Sequence, residues 1–378
     1  MAQSLDEGRT ALTWSGRAVE LDRIEEELVR LRYEAGGAGQ EGKPFAIRTS
    51  FLNLVVHAAD EESARHASQV IAALPSYHPS RSLIMVARPS ADESRIDAEL
   101  SAHCHIAPGV EPQVCCEEVR LRVSGQAADH LHSVIEPLLV SDLPVYVWWT
   151  GELPRNPHLF EEMIGASDRV IVDSGEFESP AAGLARLMKL RAERRGLSVG
   201  DLAWNRLAPW RQVLSQWLEA PGFESVTNVD MTAALGAGAV AQSSQVLLLL
   251  GWLAGRLDWR VQEESGRPGG GAATVRAGGK TVEITAAESK GCAGLTPGWL
   301  VSVALARGAA GRVSVRRDED PLHLAVRVEE AGSAHDERIR TEECSEAEML
   351  SRELERLGHD EAYEGALRRA VEIAGGIS

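Results

Sequence analysis

Three segments of the chain carry glycine spacings of the kind that cradle phosphate groups. Gly37 to Pro44 reads GxxxxGKP. Pro44 stands where a P-loop needs a hydroxyl for magnesium, and the segment follows a helical pattern where a strand is required. Gly236, Gly238 and Ala241 match the GxGxxA form of the dinucleotide fingerprint, precede a helix, and have Asp258 some twenty residues on. The preceding NVDMTAAL is a poor buried strand, and Asp258 would begin the next strand instead of ending it near a ribose, so a helix cap and a packed helix are expected. Gly269 to Thr274 lacks the final glycine, leads into a strand and reads as a loop.

His103, Cys104, His105, Cys115 and Cys116 are the densest group of soft-metal ligands. They lack the CxxC pairs through which one turn offers two thiolates to zinc, and adjacent cysteines on a strand face opposite ways, so ordinary strand thiols are expected. GxSxG, HExxH and SxxK are all missing. His132, Glu136, Asp142, Glu152 and Asp173 could meet at strand ends, yet carboxylates are frequent there and single out no pair. No catalytic residue, no cofactor site and no metal site is assigned.

Tryptophan and arginine stand out instead. In Asp142 to Pro154, DLPVYVWWTGELP, a strand-forming run delivers Trp148 and Trp149 to a turn, with their side chains on opposite faces. Two readings stand: large residues between the layers of a helix-covered parallel strand, or a strand end at the mouth of an open α/β sheet, where ligands and partners dock. Trp204, Arg206, Trp210, Arg211 and Trp217 form a second group. Trp and Arg are enriched at interface hot spots, while the same tryptophans could anchor their helices to the sheet; both hold if Arg206 and Arg211 face out.

The elements that would position these residues follow from periodicity. Leu21, Ile24, Leu28 and Leu31 make one stripe of a charged helix, which Ala35 to Pro44 ends. Strand Thr49 to His57, helix Asp60 to Leu74 and strand Ser82 to Ala87 form a βαβ unit. The alternation continues through strand Val114 to Val123, helix Asp129 to Leu139, the Trp-Trp strand, helix His158 to Ile164, strand Arg169 to Asp173 and helix Pro180 to Arg195. Leu202 to Ala220 gives two helical pieces broken at Ala208 and Pro209.

Beyond Pro221-Gly222 a buried helix, Gln242 to Arg256, precedes five short strands: Ala273 to Ala277, Lys280 to Ala287, Trp299 to Leu305, Arg312 to Arg317 and Leu322 to Val328. Gly278-Gly279 is a hairpin signal. Helices near Ser345 to Leu357 and Asp360 to Ala374 close the chain. The expected fold is α/β, with a doubly wound, mostly parallel sheet over residues 1–221, followed by an α+β domain with an antiparallel meander over 222–378.

The whole-chain totals set limits. The 378 residues suffice for two cores, and 44% apolar content fits a globular chain. The net charge of −17, from 39 basic and 56 acidic residues without a basic block, argues against nucleic acid or an anionic membrane as partner. Val246 to Ala254 is far shorter than the roughly 20 residues a membrane span needs. MAQSLDEGRT lacks the regions of a signal peptide, so a cytoplasmic setting with reduced thiols is expected.

Four segments, LPVYVWWTGELP at Leu143 to Pro154, SDRVIVDS at Ser167 to Ser174, DLAWNRLAPWR at Asp201 to Arg211 and LLLLGWLAGRLDW at Leu247 to Trp259, together resemble the OpcA family of glucose-6-phosphate dehydrogenase assembly proteins. The resemblance implies a Rossmann-like N-terminal domain. It also implies a non-catalytic partner that binds glucose-6-phosphate dehydrogenase, favours its active oligomer and raises its activity, supporting NADPH supply through the oxidative pentose phosphate route. The positions it carries over as partner-binding are Trp148, Trp149, Gly151, Trp204, Asn205, Arg206, Pro209, Trp210 and Arg211. Cys104, Cys115, Cys116, Cys292 and Cys344 are not matched to the redox cysteines of photosynthetic members. The residues alone leave a second reading open: an enzyme or sensor that binds a nucleotide or sugar phosphate at the strand ends of the N-terminal sheet.

Overall fold

Every residue of Leu52–Ala58, LNLVVHA, is buried. A strand without a polar face needs helices on both sides, and that places it inside a parallel sheet. The computed structural model describes residues 9–35, 47–48, 50–74, 79–105, 114–154, 157–219, 226–234, 243–260, 272–277, 280–288, 295–308, 311–320, 322–330, 332–341 and 345–377. These residues fall into two compact units, the first from the described residues of 1–172, 196–200 and 346–357, the second from those of 173–195, 201–345 and 358–378. The glycine motifs at Gly37 to Pro44, Gly236 to Ala241 and Gly269 to Gly271 lie outside the described residues, as do Gly278-Gly279, Cys292 and Cys344.

The first unit runs through β1 (Arg9–Gly16), α1 (Leu21–Ala35), β2 (Ile47–Arg48), β3 (Leu52–Ala58), α2 (Glu61–Ala72), β4 (Ser80–Arg88), β5 (Arg95–His105), β6 (Val114–Ser124), α3 (Leu131–Ile135), β7 (Val145–Trp149), α4 (Pro157–Ile164) and β8 (Arg169–Val172). After α5 (Pro180–Glu193), a helix of the second unit, β9 (Ser198–Asp201) completes the sheet. The strand order is β1-β5-β6-β4-β3-β7-β8-β9, with β2 beside β6. The pairs β6–β4, β4–β3, β3–β7 and β7–β8 are parallel. The run β6-β4-β3-β7-β8-β9 is the doubly wound order of dinucleotide-binding sheets, which reverses direction between β3 and β7.

The first sheet exceeds expectation at one edge. Arg9–Gly16, read as a polar start, pairs antiparallel with β5, itself antiparallel to β6. From Leu12 to Ser15 of β1, Leu12 and Trp14 turn partly inward, while Thr13 and Ser15 are exposed. In β5 the inward positions are the small or isolated Ala98, Leu100 and Ala102. One-sided edge strands of this composition give little apolar signal.

The second unit continues with α6 (Leu202–Arg206), α7 (Ala208–Leu218), β10 (Asn228–Ala233), α8 (Ser244–Arg256), β11 (Trp259–Arg260), β12 (Ala272–Ala277), β13 (Lys280–Glu288), β14 (Leu300–Ala306), β15 (Gly311–Arg317), β16 (His323–Glu330) and β17 (Ser333–Arg340). The chain re-enters the first unit as α9 (Glu346–Glu355) and ends in the second as α10 (Glu361–Ile377). The second sheet is ordered β11-β12-β13-β10-β14-β15-β16-β17. The segment NVDMTAAL, read from sequence as a poor buried strand, supplies its central strand β10. Val229, Met231 and Ala233 of β10 are buried, and the strand pairs parallel with β13 and antiparallel with β14. The five strands expected from sequence pair antiparallel as β12–β13 and as the meander β14-β15-β16, with β10 inserted between the two groups, and β11 and β17 extend the sheet at its edges beyond that expectation.

Helix α8, SQVLLLLGWLAGR, is buried from Ser244 to Ala254 because α10 crosses it. The crossing is close at Gly251, where a Cβ would come within 2.1 Å of the Ala366 carbonyl oxygen. No helix among the described residues is long and apolar enough to cross a membrane.

Candidate functional site

In a sheet of this order ligands enter outside the carboxyl ends of the strands flanking the reversal. Here those ends belong to β3 and β7, and register sets His57 beside Trp149. Their rings stack with centroids 3.6 Å apart and planes 1° from parallel. Phe160 of α4 meets the Trp149 ring edge-on at 5.0 Å, and the indole N–H donates to the Glu152 carbonyl at 3.1 Å. The Thr150 hydroxyl donates to the His57 carbonyl at 2.9 Å. Burial lowers the His57 pKa to about 4, so the imidazole is neutral at physiological pH.

The turn from β3 into α2 is Ala58-Ala59-Asp60, without glycine. Asp60 caps the helix, its carboxylate accepting from the Ser63 N–H and hydroxyl at 2.8 Å each. Glu61 and Glu62 follow in the first turn. Carboxylates satisfy the helix dipole and repel the phosphates that such an N-terminus otherwise attracts. The crevice is therefore filled with aromatic rings and edged with negative charge. This plug was missed in the sequence, where His57 was only the last residue of a strand. The signal was available: an acidic, glycine-free turn where a phosphate loop would sit.

The second unit gathers the other aromatic residues. Arg206 makes an ion pair with Asp173 at 2.6 Å, and its guanidinium lies 5.3 Å from the Trp299 ring centre. Arg317 lies 5.4 Å from Trp299 and 5.7 Å from Trp210. The result is a ladder of alternating cation and indole, Arg206, Trp299, Arg317, Trp210, held by cation–π attraction. Arg317 is further anchored by donating to the Leu300 carbonyl at 2.7 Å. Arg211 stacks on Trp204 at 3.3 Å, and Trp204 donates to Asp360 at 3.1 Å. Trp299 and Arg317 come from the β-rich part of the chain and were not identified from sequence as site residues.

Beneath the ladder Asp201 is fully buried, accepting from the N–H groups of Ser174 and Ala203 and from the Tyr363 hydroxyl at 3.2 Å. Burial raises its pKa to about 6, and neighbouring Asp173 adds to the rise.

The positions singled out in the sequence thus divide between the units. Trp148, Trp149, Trp204, Asn205 and Trp210 are buried, while Gly151, Arg206, Pro209 and Arg211 are half-buried. Of the candidate acid–base residues, His132 and Glu136 approach each other at 3.6 Å as an exposed pair, whereas Asp142 lies on an exposed turn and Asp173 is held by Arg206. Cys104 is opposite Cys115, and His103 opposite Cys116, in the β5–β6 register. No cluster of three potential metal ligands occurs among the described residues.

Residues 56–189 match the family described as glucose-6-phosphate dehydrogenase subunit N-terminal domain, and residues 197–367 match its C-terminal domain. Relatives named OxPP cycle protein OpcA occur in Synechocystis and Nostoc punctiforme, 32% identical over 47% of this chain and 30% over 55%. One from Synechococcus elongatus is 28% identical over 72%. The matches cover 37%, 42% and 63% of those relatives' lengths. Among solved structures, an NAD-binding oxidoreductase from Klebsiella pneumoniae superposes with a TM-score of 0.49 at 13% identity, covering 87% of this chain and 97% of its own. A 3-ketoreductase from Actinomadura kijaniata holding NADP gives 0.47 at 16%, covering 86% and 96%.

Proposed function

Since the chain belongs to the OpcA family of glucose-6-phosphate dehydrogenase subunits, we propose that it binds glucose-6-phosphate dehydrogenase, favours its active oligomer and raises its activity, contributing no reactive group. The observation that supports this most is the plugged crevice. A sheet wound as a dinucleotide-binding sheet has its ligand position occupied by the His57–Trp149 stack and its phosphate position guarded by Asp60, Glu61 and Glu62. A chain retained without that site acts through its surface. The plug also argues against the second reading from sequence, a nucleotide or sugar-phosphate site at these strand ends.

The mechanism is one of linkage. A protein that binds an enzyme's active state more tightly than its inactive state shifts the population by the difference in affinity. A preference of about 2.7 kcal/mol changes the ratio of states roughly a hundredfold. Among the residues carried over from the family, Gly151, Arg206, Pro209 and Arg211 reach solvent and would touch the enzyme, while Trp148, Trp149, Trp204, Asn205 and Trp210 would shape the surface beneath them. A cytoplasmic location follows from such a partner.

The test measures the dehydrogenase of the same organism with and without this protein, following activity and mass in solution, alongside NADP⁺ titration of this protein alone. Raised activity, a larger dehydrogenase oligomer and no NADP⁺ binding are expected. Turnover or NADP⁺ binding by the isolated chain, with the dehydrogenase unaffected, would overturn the proposal.

A further inference from the structure

Helices α5 and α10 of the second unit enclose a groove of about 450 Å³ lined by Met188, Arg191, Ala192, Arg195, Glu364, Leu367 and Arg368. Its charge opposes that of the chain: three arginines against one glutamate, in a protein of net charge −17. Arg191 is already engaged, donating to Glu364 at 2.7 Å and to the Arg195 carbonyl at 3.1 Å. Arg195 and Arg368 are exposed, and neither guanidinium has a carboxylate partner among the described residues. Between these cations run the apolar Met188 and Leu367.

We infer that this groove receives an acidic, amphipathic helical segment of the protein partner. The shape carries the choice of occupant. Met188, Arg191, Ala192 and Arg195 succeed one another at helical spacing along one wall, and Glu364, Leu367 and Arg368 along the other, so the groove extends about 10 Å. The free cations stand on opposite walls with apolar side chains between them. A helix presenting one apolar ridge flanked by carboxylates complements that pattern, in the helix-in-groove mode. A lone phosphate would need the cations to converge on one point, and Arg191 is held by Glu364. Methionine on the wall suits a peptide surface, because its flexible thioether adapts to the entering side chain. The acidic remainder of the molecule disfavours acidic segments elsewhere and so directs them here.

The inference rests on the proposed partner-binding role, and the experiment separates the two. The 378-residue chain and its variant Arg195→Glu/Arg368→Glu are compared for binding to the dehydrogenase and to a labelled peptide of about twelve residues carrying Glu and Leu at helical spacing. Arg195→Gln/Arg368→Gln serves as a milder second variant. Expected are unchanged melting temperatures, because both side chains are exposed, and affinity for enzyme and peptide about tenfold or more weaker in the reversed variant, with a smaller loss in the neutral one. Unchanged dehydrogenase binding by both variants overturns the groove and leaves the functional proposal standing. Wild-type protein that ignores the dehydrogenase but binds the peptide through these arginines supports the groove and removes the functional proposal. Arginine-dependent stabilisation by inorganic phosphate, without peptide binding, overturns the helical occupant in favour of a small anion.

Discussion

Tryptophan keeps different company in the two units: Trp149 and Trp210 are buried, and Trp299 is half-buried. In the first, Trp149 lies against a neutral imidazole and a phenyl ring, with its one polar atom satisfied by a carbonyl. In the second, Trp299 and Trp210 alternate with guanidinium groups that keep some contact with solvent. The first arrangement removes charge from a place where the fold would otherwise admit a charged ligand. The second keeps cations fixed, stacked and partly open to solvent. A doubly wound sheet can therefore lose its ligand position through a few aromatic residues at two strand ends, while a binding surface must keep its charges near water to remain useful.

The largest effect that could break this contrast is expected at Trp149. Trp149→Ala removes both the His57 stack and the Phe160 contact from a site that is 1% exposed, and it should cost about 4 kcal/mol in chemical denaturation. A loss below about 1 kcal/mol would mean that the crevice is loosely filled and that its closure is not part of the packed core.

The sequence made these regions visible to different degrees. The unit β3-α2-β4 was legible because apolar runs and the Asp60 cap are local signals, whereas strand alternation placed Trp148 and Trp149 on opposite faces and left open whether they lie between layers or at the sheet mouth. Strands β1 and β5 were not, because their described inward positions are few and mostly small or isolated, and β10, whose Val229, Met231 and Ala233 face inward, was read as a poor buried strand. Arg206 and Trp210 could be named from residue type alone. Their neighbours Trp299 and Arg317 could not, since they join the ladder only through tertiary packing of the second unit, which no spacing rule encodes. The role of His57 likewise depends on its β7 neighbour, fixed by parallel register.

A pH experiment sharpens the comparison, because the two buried groups titrate with opposite sign. His57 has its pKa lowered from 6.5 to about 4, so the unfolded chain takes up its proton first, and this contribution to stability is complete above pH 6.5 and lost as pH falls toward 4. Asp201 has its pKa raised from 3.8 to about 6, so its contribution is complete below pH 3.8 and lost as pH rises through 6. Each is worth about 3 kcal/mol across its window. His57→Phe keeps a ring in the crevice, and relative to wild type it should gain stability as pH falls. Asp201→Asn should gain as pH rises. Melting temperatures taken between pH 4 and 7 check both slopes, and slopes of equal sign would refute the assignment of opposite electrostatic roles.

Smaller again is the effect expected at the ladder. Arg206→Ala leaves the largely buried Asp173, still accepting from the Gly175 N–H, without its cation and should cost about 2 kcal/mol, whereas Arg206→Lys keeps the charge but loses the planar stack on Trp299 and should cost less. Binding is the more informative readout. If Arg206 only braces the second unit, dehydrogenase affinity should track the loss of stability, and Lys should restore both together. An affinity loss that persists in the Lys variant at temperatures where it is fully folded would place the guanidinium in the interface.

The smallest effect belongs to Gly151, at the turn that follows the plugged strand. Its φ of +75° suits glycine, yet a Cβ added there would meet nothing within 4 Å. Gly151→Ala therefore adds backbone strain without a clash, about 1 kcal/mol, visible as a small drop in melting temperature. That empty space makes it a probe of the surface. A methyl group that costs only the strain energy leaves activation of the dehydrogenase intact once the protein is folded. A larger loss of activation at full folding means that a partner approaches the Gly151 backbone closely, and the first unit would then share in the recognition otherwise assigned to the arginines of the second.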